Sequence, residues 1–275
     1  MDIKAVVTDL DGTLCDDREI HAEDKKAVED VLARGIPVII ATTRMRFSSA
    51  RILKDLDIDG SPLICNNGAR VIGPGWKNSA SYDEWWEAFL DGEVAKKLAL
   101  YTDERNYEIT TIFKEKKFWN SKKYREHGES YNITEIVDKT QKALENGSPL
   151  SFMMHIENNG HDKLRDFESY ASNFSGKVNL DRHHRDGELA ALTVYPAGVS
   201  KKNALEMVAN RLDISMNNIL AIGDDEVDDR LLKSAGMGVA MGNSPDHVKE
   251  SADTVAPSCT ENGLAWTLER YILDS

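Results

Sequence analysis

An apolar segment that ends abruptly in two acidic residues constrains this chain more than any other feature. The apolar run over residues 5–7 predicts a short buried strand of a parallel sheet, and Asp9, Asp11 and Gly12 follow it. Side chains two residues apart in a strand point the same way, so the two carboxylates are expected to lie together. Gly12 lets the chain turn and brings backbone N–H groups toward the same point. Open α/β sheets bind their ligands at this carboxyl edge.

The chemistry of two adjacent carboxylates narrows the possible functions. Like charges repel unless a cation lies between them or one of them carries a proton. Both arrangements suit phosphoryl transfer, in which one Asp acts as nucleophile and metal ligand and the other transfers a proton. A solvated turn is the simpler alternative, because Asp and Gly are common in turns. The apolar strand before the pair and Thr13-Leu14 after it favour a functional site.

The remainder of the chain predicts an α/β protein made from both ends of the sequence. Short apolar strands are expected over residues 36–41, 63–65, 219–222 and 238–241, and helical segments alternate with them. This alternation predicts right-handed crossovers and a doubly wound parallel sheet.

The middle of the chain has a different character. Trp85, Trp86 and Phe89 are expected on an amphipathic helix that continues toward Leu100, and β-rich pieces then alternate with charged helical stretches such as 135–144. We therefore expect a core formed by residues 1–81 and 196–275, with an α+β domain inserted at 82–195.

Three further residues with suitable chemistry stand at predicted strand ends or helix starts. Thr42 ends the second strand, where a hydroxyl can bond a phosphoryl oxygen. Lys201 opens a helix and can neutralise charge on Asp9 and on a phosphoryl group. Asp224 heads an acidic run that offers the oxygen ligands Mg²⁺ prefers. Each has an ordinary alternative, such as a solvated lysine or an acidic helix N-terminus, so the prediction depends on their joint occurrence.

In this order the motifs resemble those of the haloacid dehalogenase (HAD) superfamily of phosphohydrolases. The resemblance rests on the segment 9–14 (Asp-Leu-Asp-Gly-Thr-Leu), then Thr42, Lys201 and the segment 223–228. The tail at 238–245 is similar to the Cof-type branch, subfamily IIB. That resemblance implies a Rossmann-like HAD core with a C2B-type cap between the second and third motifs.

The resemblance also implies an activity and residue roles. It implies a Mg²⁺-dependent phosphatase of small-metabolite phosphomonoesters, such as a sugar phosphate. Asp9 would become an aspartyl phosphate, and Asp11 would protonate the leaving oxygen and then activate water. The other implied roles are Mg²⁺ ligation by Asp9, Asp11 (through its carbonyl) and Asp224; phosphoryl binding by Thr42 and Lys201; support by Asp228 and Asn243; and substrate contact by Thr43, Arg44, Asn67 and Gly68.

Two positions depart from the family pattern. Thr43 stands where the family usually has Gly, and it cannot adopt a positive φ cheaply, which bears on the placing of Arg44. Val227 stands where the family has Asn, so Asp225 or Glu226 would have to compensate. Neither change touches the acidic pair, and we expect activity. Candidates for substrate selection, by residue type alone, are Trp85, Trp86, His155, His183, His184 and Arg185.

Charge and composition limit the partners. A net charge of -13 argues against nucleic acid or an anionic membrane as the main partner, although a local metal and lysine can still bind a small anion. The three cysteines show no metal-binding spacing. No signal peptide is recognisable and no apolar run approaches the ~20 residues that span a bilayer. We expect a cytoplasmic monomer or homodimer that binds a small phosphorylated metabolite.

Other functions remain open at this point. A phosphomutase or other phosphotransferase would use the same aspartyl phosphate and return the phosphoryl group to an acceptor. A non-catalytic phospholigand sensor is disfavoured by the intact Asp9 and Asp11. A receiver-type signalling domain would carry its phosphorylated Asp on a later strand, and a ~110-residue insertion would be unusual there. Dehalogenase chemistry would leave Asp11 and the Asp224 cluster without a purpose.

Overall fold

The computed structural model describes residues 2–77, 82–120, 134–155, 160–185 and 188–274. The chain forms two compact units, Met1–Glu87 with Ser200–Ser275, and Ala88–Val199. The strands are β1 (Ala5–Thr8), β2 (Val38–Ala41), β3 (Leu63–Cys65), β4 (Arg70–Ile72), β5 (Glu84–Glu87), β6 (Thr110–Ile112), β7 (Lys117–Trp119), β8 (Thr134–Ile136), β9 (Ser151–His155), β10 (Val178–Arg185), β11 (Glu188–Pro196), β12 (Ile219–Gly223), β13 (Met237–Ala240) and β14 (Thr254–Val255). The α-helices are α1 (Ala22–Ala33), α2 (Arg46–Ile52), α3 (Gly92–Arg105), α4 (Thr140–Ala143), α5 (His161–Ser172), α6 (Lys201–Arg211), α7 (Asp229–Ser234), α8 (Asp246–Ser251) and α9 (Gly263–Leu268).

The first unit is built on one sheet in the order β14-β13-β12-β1-β2-β3-β4-β5. Neighbouring strands from β14 through β3 run parallel, and β4 and β5 extend the sheet in antiparallel fashion. β1 and β12, from opposite ends of the chain, are paired in register from Ala5 with Ile219 to Thr8 with Ile222. The predicted α/β fold with a parallel-sheet core is confirmed.

Both faces of this sheet are covered by helices. Val6, whose side chain faces one side of β1, packs in an apolar cluster that includes Val28 of α1 and Leu264 of α9. Val7 faces the other side and packs with Leu205 of α6. Because successive strand residues point to opposite faces, a strand buried on both sides must be apolar at every position, as β1 and β2 nearly are.

The second unit is an α+β structure on a sheet of order β10-β11-β9-β6-β7-β8. Its pairs are antiparallel except for β7 with β8. Leu98 of α3 and Phe167 of α5 pack with Phe152 and Leu192 of the sheet in one apolar cluster. Two helices on a mainly antiparallel sheet therefore give this unit a core of its own.

The helix predicted across Trp85, Trp86 and Phe89 is wrong. Residues 84–87 form β5, which pairs with β4, and the helix begins only at Gly92. Trp85 packs against Gly73 so closely that a Cβ at that glycine would lie 2.4 Å from the indole Nε1. Because the pairing of β5 with β4 depends on distant residues, local helical spacing could not reveal it. The boundary between the units consequently follows Glu87 rather than residue 81.

The charged stretch 135–144 also differs from the expectation. Its start belongs to β8, and only Thr140–Ala143 is α-helical. β4, β7 and β10 were not predicted, and each is a short or charge-bearing strand with a weak apolar pattern. Within the described ranges, no helix combines the length and apolarity that crossing a bilayer requires.

A buried carboxylate ties α1 to α9 and should make stability depend on pH. Asp24 is 1% exposed and its Oδ1 accepts the N–H of Ala265 at 2.7 Å. Burial raises the pKa of Asp24 from 3.8 to about 6. A raised carboxyl pKa favours the protonated folded state, so this contribution is complete below the unfolded pKa and is lost as the pH rises through about 6.

We predict that Asp24→Asn abolishes this pH dependence. Relative to the unaltered protein, the variant should gain roughly 1–3 kcal/mol of unfolding free energy at pH 7 and little near pH 4, because the amide never ionises. Urea denaturation at the two pH values measures the difference. Glu23→Gln, on the exposed side of the same helical turn, is the matched control. An Asp24→Asn effect that is equal at both pH values would contradict the assignment.

Candidate active site

The carboxyl ends of the parallel strands bring predicted site residues of the first unit to one edge. Asp9 comes directly after β1, Thr42 directly after β2, and Asp224 directly after β12. β12, β1 and β2 are consecutive parallel neighbours in the sheet. Strands in such a sheet end on the same side, so three sequence-distant polar residues lie around one point.

Lys201 joins this edge from the first turn of α6. Ser200 caps that helix, its hydroxyl accepting the N–H of Asn203 at 3.1 Å. The Lys201 Nζ donates to Asp9 Oδ1 and to Asp228 Oδ1, each at 2.7 Å. Lys201 and Asp228 are fully buried, and Asp9 is 6% exposed. An ammonium without partners at that depth would be strongly unfavourable, so the two carboxylates are what permits its burial.

Asp228 is held by the backbone of the segment before it. Its Oδ2 accepts the N–H groups of Asp224 and Asp225, each at 3.2 Å. Carboxylate oxygens of Asp9, Asp224 and Asp228 lie within 4.8 Å of one another, the arrangement of a possible metal site. One oxygen of Asp228 accepts the Lys201 ammonium and the other accepts two backbone N–H groups, so Asp228 is fixed in place and orients Lys201.

Acidic side chains cap the turn that follows Asp224 and contains Val227. Asp225 caps a 3₁₀ turn over Glu226–Asp228, its Oδ1 accepting the N–H of Glu226 at 2.7 Å. Together with the Asp228 carboxylate these bonds form a reciprocal capping box. The turn is therefore closed by acidic side chains on both sides of residue 227.

Asp224 is fixed by side chains from two other loops. Thr13 Oγ1 donates to its Oδ1 at 2.7 Å, and Asn243 Nδ2 lies 3.4 Å from its Oδ2. Asn243 also donates to the carbonyl of Gly12 at 2.9 Å and accepts the N–H of Cys259 at 2.9 Å. Asn243 thus links the loops after β1, β12 and β13, while Thr13 orients the carboxylate.

The electrostatics of the site are unbalanced in favour of negative charge. Burial raises the pKa of Asp9 to about 7, against the lowering influence of Lys201. Burial and the nearby Asp9 raise the pKa of Asp224 well above its ordinary value. Burial lowers the pKa of Lys201, but the carboxylates of Asp228 and Asp9 outweigh that and raise it overall. One ammonium among three carboxylates, of which those of Asp9 and Asp228 are buried and that of Asp224 is partly buried, leaves a deficit of positive charge. A divalent cation fits that deficit with its preferred oxygen ligands.

Asp11 differs from Asp9 in exposure and in its partner. Its side chain is 41% exposed, and it forms a bidentate ion pair with Arg44, whose side chain is 24% exposed. Arg44 Nε donates to Asp11 Oδ2 at 2.5 Å, and Nη2 donates to Oδ1. The resemblance implied a substrate contact for Arg44; the structure places its guanidinium on Asp11.

Thr42 and Thr43 form the short connection from β2 to Arg44. Thr42 is fully buried, and its hydroxyl oxygen accepts the N–H of Arg44 at 3.1 Å. That bond uses a lone pair, so the hydroxyl hydrogen can donate to a phosphoryl oxygen. Thr43 is not among the residues with positive φ, so replacing the family's Gly at this position introduces no left-handed strain.

The Asn-Gly turn after β3 is joined to this connection. The N–H of Asn67 donates to the carbonyl of Thr42 at 3.0 Å, and the N–H of Asn66 donates to the carbonyl of Arg44 at 2.8 Å. Gly68 has a φ of +91°, and a Cβ there would lie 2.3 Å from the carbonyl oxygen of Ser200. Gly68 therefore has a packing role against the start of α6, and Asn67 is buried beside it.

The candidates for substrate selection separate between the two units. Trp85 and Trp86 lie on β5 of the first unit, and the expectation that they belong to the inserted domain is wrong. In the second unit His155 is exposed at the end of β9, and His183 shares a hydrogen bond of 2.9 Å with Thr193. The side chains of His184 and Arg185 lie outside the described residues.

Because two loops approach closely at Gly12, we predict that substituting this glycine causes a large loss of stability. Gly12 has a φ of +79° and a Cβ there would lie 2.3 Å from Asp224 Oδ2, whereas Gly35 has a φ of +78° with nothing within 4 Å. Gly35→Ala should lose about 1–2 kcal/mol of stability, the left-handed cost alone. Gly12→Ala should lose clearly more, because the same strain is joined by a clash. Urea denaturation measures both, and equal losses would contradict the described contact.

Comparison with known proteins identifies the family of this chain. A family model described as haloacid dehalogenase-like hydrolase matches residues 6–268. The 5-amino-6-(5-phospho-D-ribitylamino)uracil phosphatase YcsE of Bacillus subtilis is 29% identical, over 99% of this chain and 97% of that protein. The chloroplastic endoribonuclease YBEY of Arabidopsis thaliana is 27% identical over 97% of this chain, but this chain spans only 46% of that protein.

A solved structure shares the fold over nearly the whole length. It is that of the HAD subclass IIB sugar phosphatase BT4131, with a TM-score of 0.78 and 19% identity, covering 98% of both chains. The predicted resemblance to the HAD superfamily is confirmed by the family model. On the family match over residues 6–268, the chain belongs to the haloacid dehalogenase-like hydrolases and is an enzyme of their phosphatase class.

Proposed function

We propose that this enzyme is a Mg²⁺-dependent phosphatase that hydrolyses a small phosphorylated metabolite through an aspartyl phosphate on Asp9. The observation that carries the proposal is the buried Lys201 ammonium, shared at 2.7 Å between Asp9 and Asp228 beside the Asp224 carboxylate. The names of YcsE and of the sugar phosphatase BT4131, which describe phosphorylated small molecules or sugars as their substrates, support this substrate class.

The first chemical step uses Asp9 and Asp11. A carboxylate oxygen of Asp9 forms a bond to phosphorus, the bond from phosphorus to the ester oxygen breaks, and that oxygen takes a proton from the Asp11 carboxyl group. In the second step the Asp11 carboxylate takes a proton from water, whose oxygen bonds to phosphorus. The bond from phosphorus to Asp9 breaks and inorganic phosphate leaves. Both aspartates return to their starting states.

The other residues bind and orient the reacting groups. Lys201 holds Asp9 in place and adds positive charge beside the transferring phosphoryl group, and the Thr42 hydroxyl donates to one of its oxygens. Asp228 and Asn243 act through Lys201 and Asp224. Mg²⁺, held by Asp9, Asp224 and the carbonyl of Asp11, would neutralise the negative charge of the carboxylates and the phosphoryl oxygens.

We further propose that residues 88–199 serve as the substrate-selecting domain, as the resemblance to C2B-type caps implies. Their own core and sheet support a separate folding unit. The leaving group that this unit accepts would decide which metabolite phosphate is hydrolysed.

The direct test is phosphate release from a panel of sugar and other small phosphate esters. With Mg²⁺ the unaltered protein should release phosphate, and EDTA should stop the reaction. Asp9→Asn should reduce release to background, because the amide cannot attack phosphorus. Retained activity in Asp9→Asn would contradict the proposal. Transfer to a second sugar hydroxyl without net phosphate release would favour a phosphomutase instead.

Metal binding can be tested without turnover. Asp224→Asn removes a partly buried charge, so the variant should unfold at a higher temperature than the unaltered protein in EDTA. It should also lose the further rise in unfolding temperature that Mg²⁺ produces in the unaltered protein. At a Mg²⁺ concentration of about 100 times Kd, that stabilisation is roughly 2.7 kcal/mol. Asp229→Asn is the control, since this neighbouring carboxylate pairs with Lys233 at 2.8 Å outside the cluster. An unchanged Mg²⁺ response in Asp224→Asn would contradict the ligand assignment.

A further inference from the structure

The Asp11 side chain is less constrained by its surroundings than the Asp9 side chain. Asp9 is buried and bonded to the Lys201 ammonium, whereas the Asp11 side chain is 41% exposed on a turn. A half-exposed carboxylate samples several rotamers, and fixing one of them costs conformational free energy. Proton transfer requires its oxygen to lie within hydrogen-bond reach of the leaving oxygen. Something must therefore hold Asp11 in its working rotamer.

Arg44 has the geometry to do so. Its Nε and Nη2 donate to the two carboxylate oxygens of Asp11, while its Nη1 donates to the hydroxyl of Ser48 at 3.3 Å. A bidentate pair of this kind fixes the carboxylate plane as well as its position. Asp11 Oδ1 also accepts a hydrogen bond from the Cys15 thiol, whose Sγ lies 4.0 Å away. Asp11 Oδ2 keeps a second lone pair, through which it can exchange a proton with an ester oxygen or water.

Arg44 is itself held from the phosphoryl-binding side of the site. Its N–H donates to the Thr42 hydroxyl oxygen at 3.1 Å, and its carbonyl accepts the N–H of Asn66 at 2.8 Å. The backbone that carries Arg44 is thus fixed by Thr42, the residue assigned to the phosphoryl group, and by the turn after β3. Arg44 therefore holds Asp11 at a fixed position relative to the residue that binds the phosphoryl group.

We propose that Arg44 is a positioning residue for the proton-transferring Asp11 and not a substrate-binding residue. The inference rests on the proposed function, because it assumes that Asp11 transfers the protons. The Arg44 guanidinium holds Asp11 in position during both chemical steps. In the first step Asp11 gives a proton to the leaving oxygen, and in the second it takes one from water.

The test compares two esters of similar size with Mg²⁺ present. Benzyl phosphate has a leaving group that must be protonated, whereas 4-nitrophenyl phosphate releases a stable phenolate without a proton. For Arg44→Ala we expect kcat/KM to fall about 10²-fold or more with benzyl phosphate and to stay within about threefold with 4-nitrophenyl phosphate. Arg51→Ala, an exposed arginine on α2, is the charge-matched control and should leave both values unchanged.

Two further readouts separate positioning from structural damage. With 4-nitrophenyl phosphate, kcat of Arg44→Ala should fall, because water activation also needs Asp11, and a burst of nitrophenolate should precede steady turnover. Adding Arg44→Ala to Asp11→Asn should cause no further loss in kcat/KM with benzyl phosphate. If Arg44→Ala does not fold, Arg44→Lys replaces it, because lysine keeps the charge but cannot form the bidentate pair. For Arg44→Lys we expect the same difference between the two esters, with a smaller loss of kcat/KM for benzyl phosphate.

The outcomes distinguish this inference from the function on which it rests. An equal fall in kcat/KM for both esters, carried by a higher KM, would make Arg44 a substrate-binding residue and overturn the inference. Unchanged kinetics for both esters would also overturn it. In either case an active unaltered protein leaves the proposed function standing. If the folded, Mg²⁺-loaded protein releases phosphate from neither ester nor from the wider panel, the proposed function fails and this inference fails with it.

Discussion

The arrangement of the site depends on one buried ammonium group. Lys201 Nζ lies 2.7 Å from a carboxylate oxygen of Asp9 and 2.7 Å from one of Asp228, with the lysine fully buried. Removing one partner of such a group typically costs about 3–5 kcal/mol, so the three residues require one another. They come from opposite ends of the sequence, and their contact depends on the parallel pairing of β1 with β12. The site therefore forms only when the sheet pairs strands from the two ends of the chain.

Much of the sheet of the first unit and of its site could be predicted, because the strands of a buried parallel sheet have a distinctive local sequence pattern. Strands buried on both faces are short and uniformly apolar, and the residue after each strand falls at the ligand-binding edge. Asp9, Thr42 and Asp224 could be placed by that rule alone. The resemblance to HAD phosphohydrolases then gave each residue an expected role. Mutual distances and burial lay beyond the sequence, because they depend on side-chain packing between distant segments.

The features that sequence reasoning missed are tertiary contacts. β5 was expected to be helical because its two tryptophans fit a helical face, and its pairing with β4 leaves no local trace. The hydrogen bond from Thr13 to Asp224 and the ion pair of Arg44 with Asp11 join loops that are far apart in sequence. Thr13 stood within a recognised motif, and its hydroxyl beside a glycine turn was the one available signal. Nothing local marked Arg44 as the partner of Asp11.

In the proposed mechanism Asp9 carries the phosphoryl group during turnover. The most direct measurement is acid quench of the enzyme during hydrolysis of 4-nitrophenyl phosphate, followed by proteolysis and mass spectrometry of the N-terminal peptide. We expect a phosphoryl group on Asp9 that hydroxylamine removes, as it removes acyl phosphates. A phosphoryl group on another residue would contradict this mechanism. So would the absence of any phosphorylated residue in Asp11→Asn, quenched while that variant turns over after a burst of nitrophenolate.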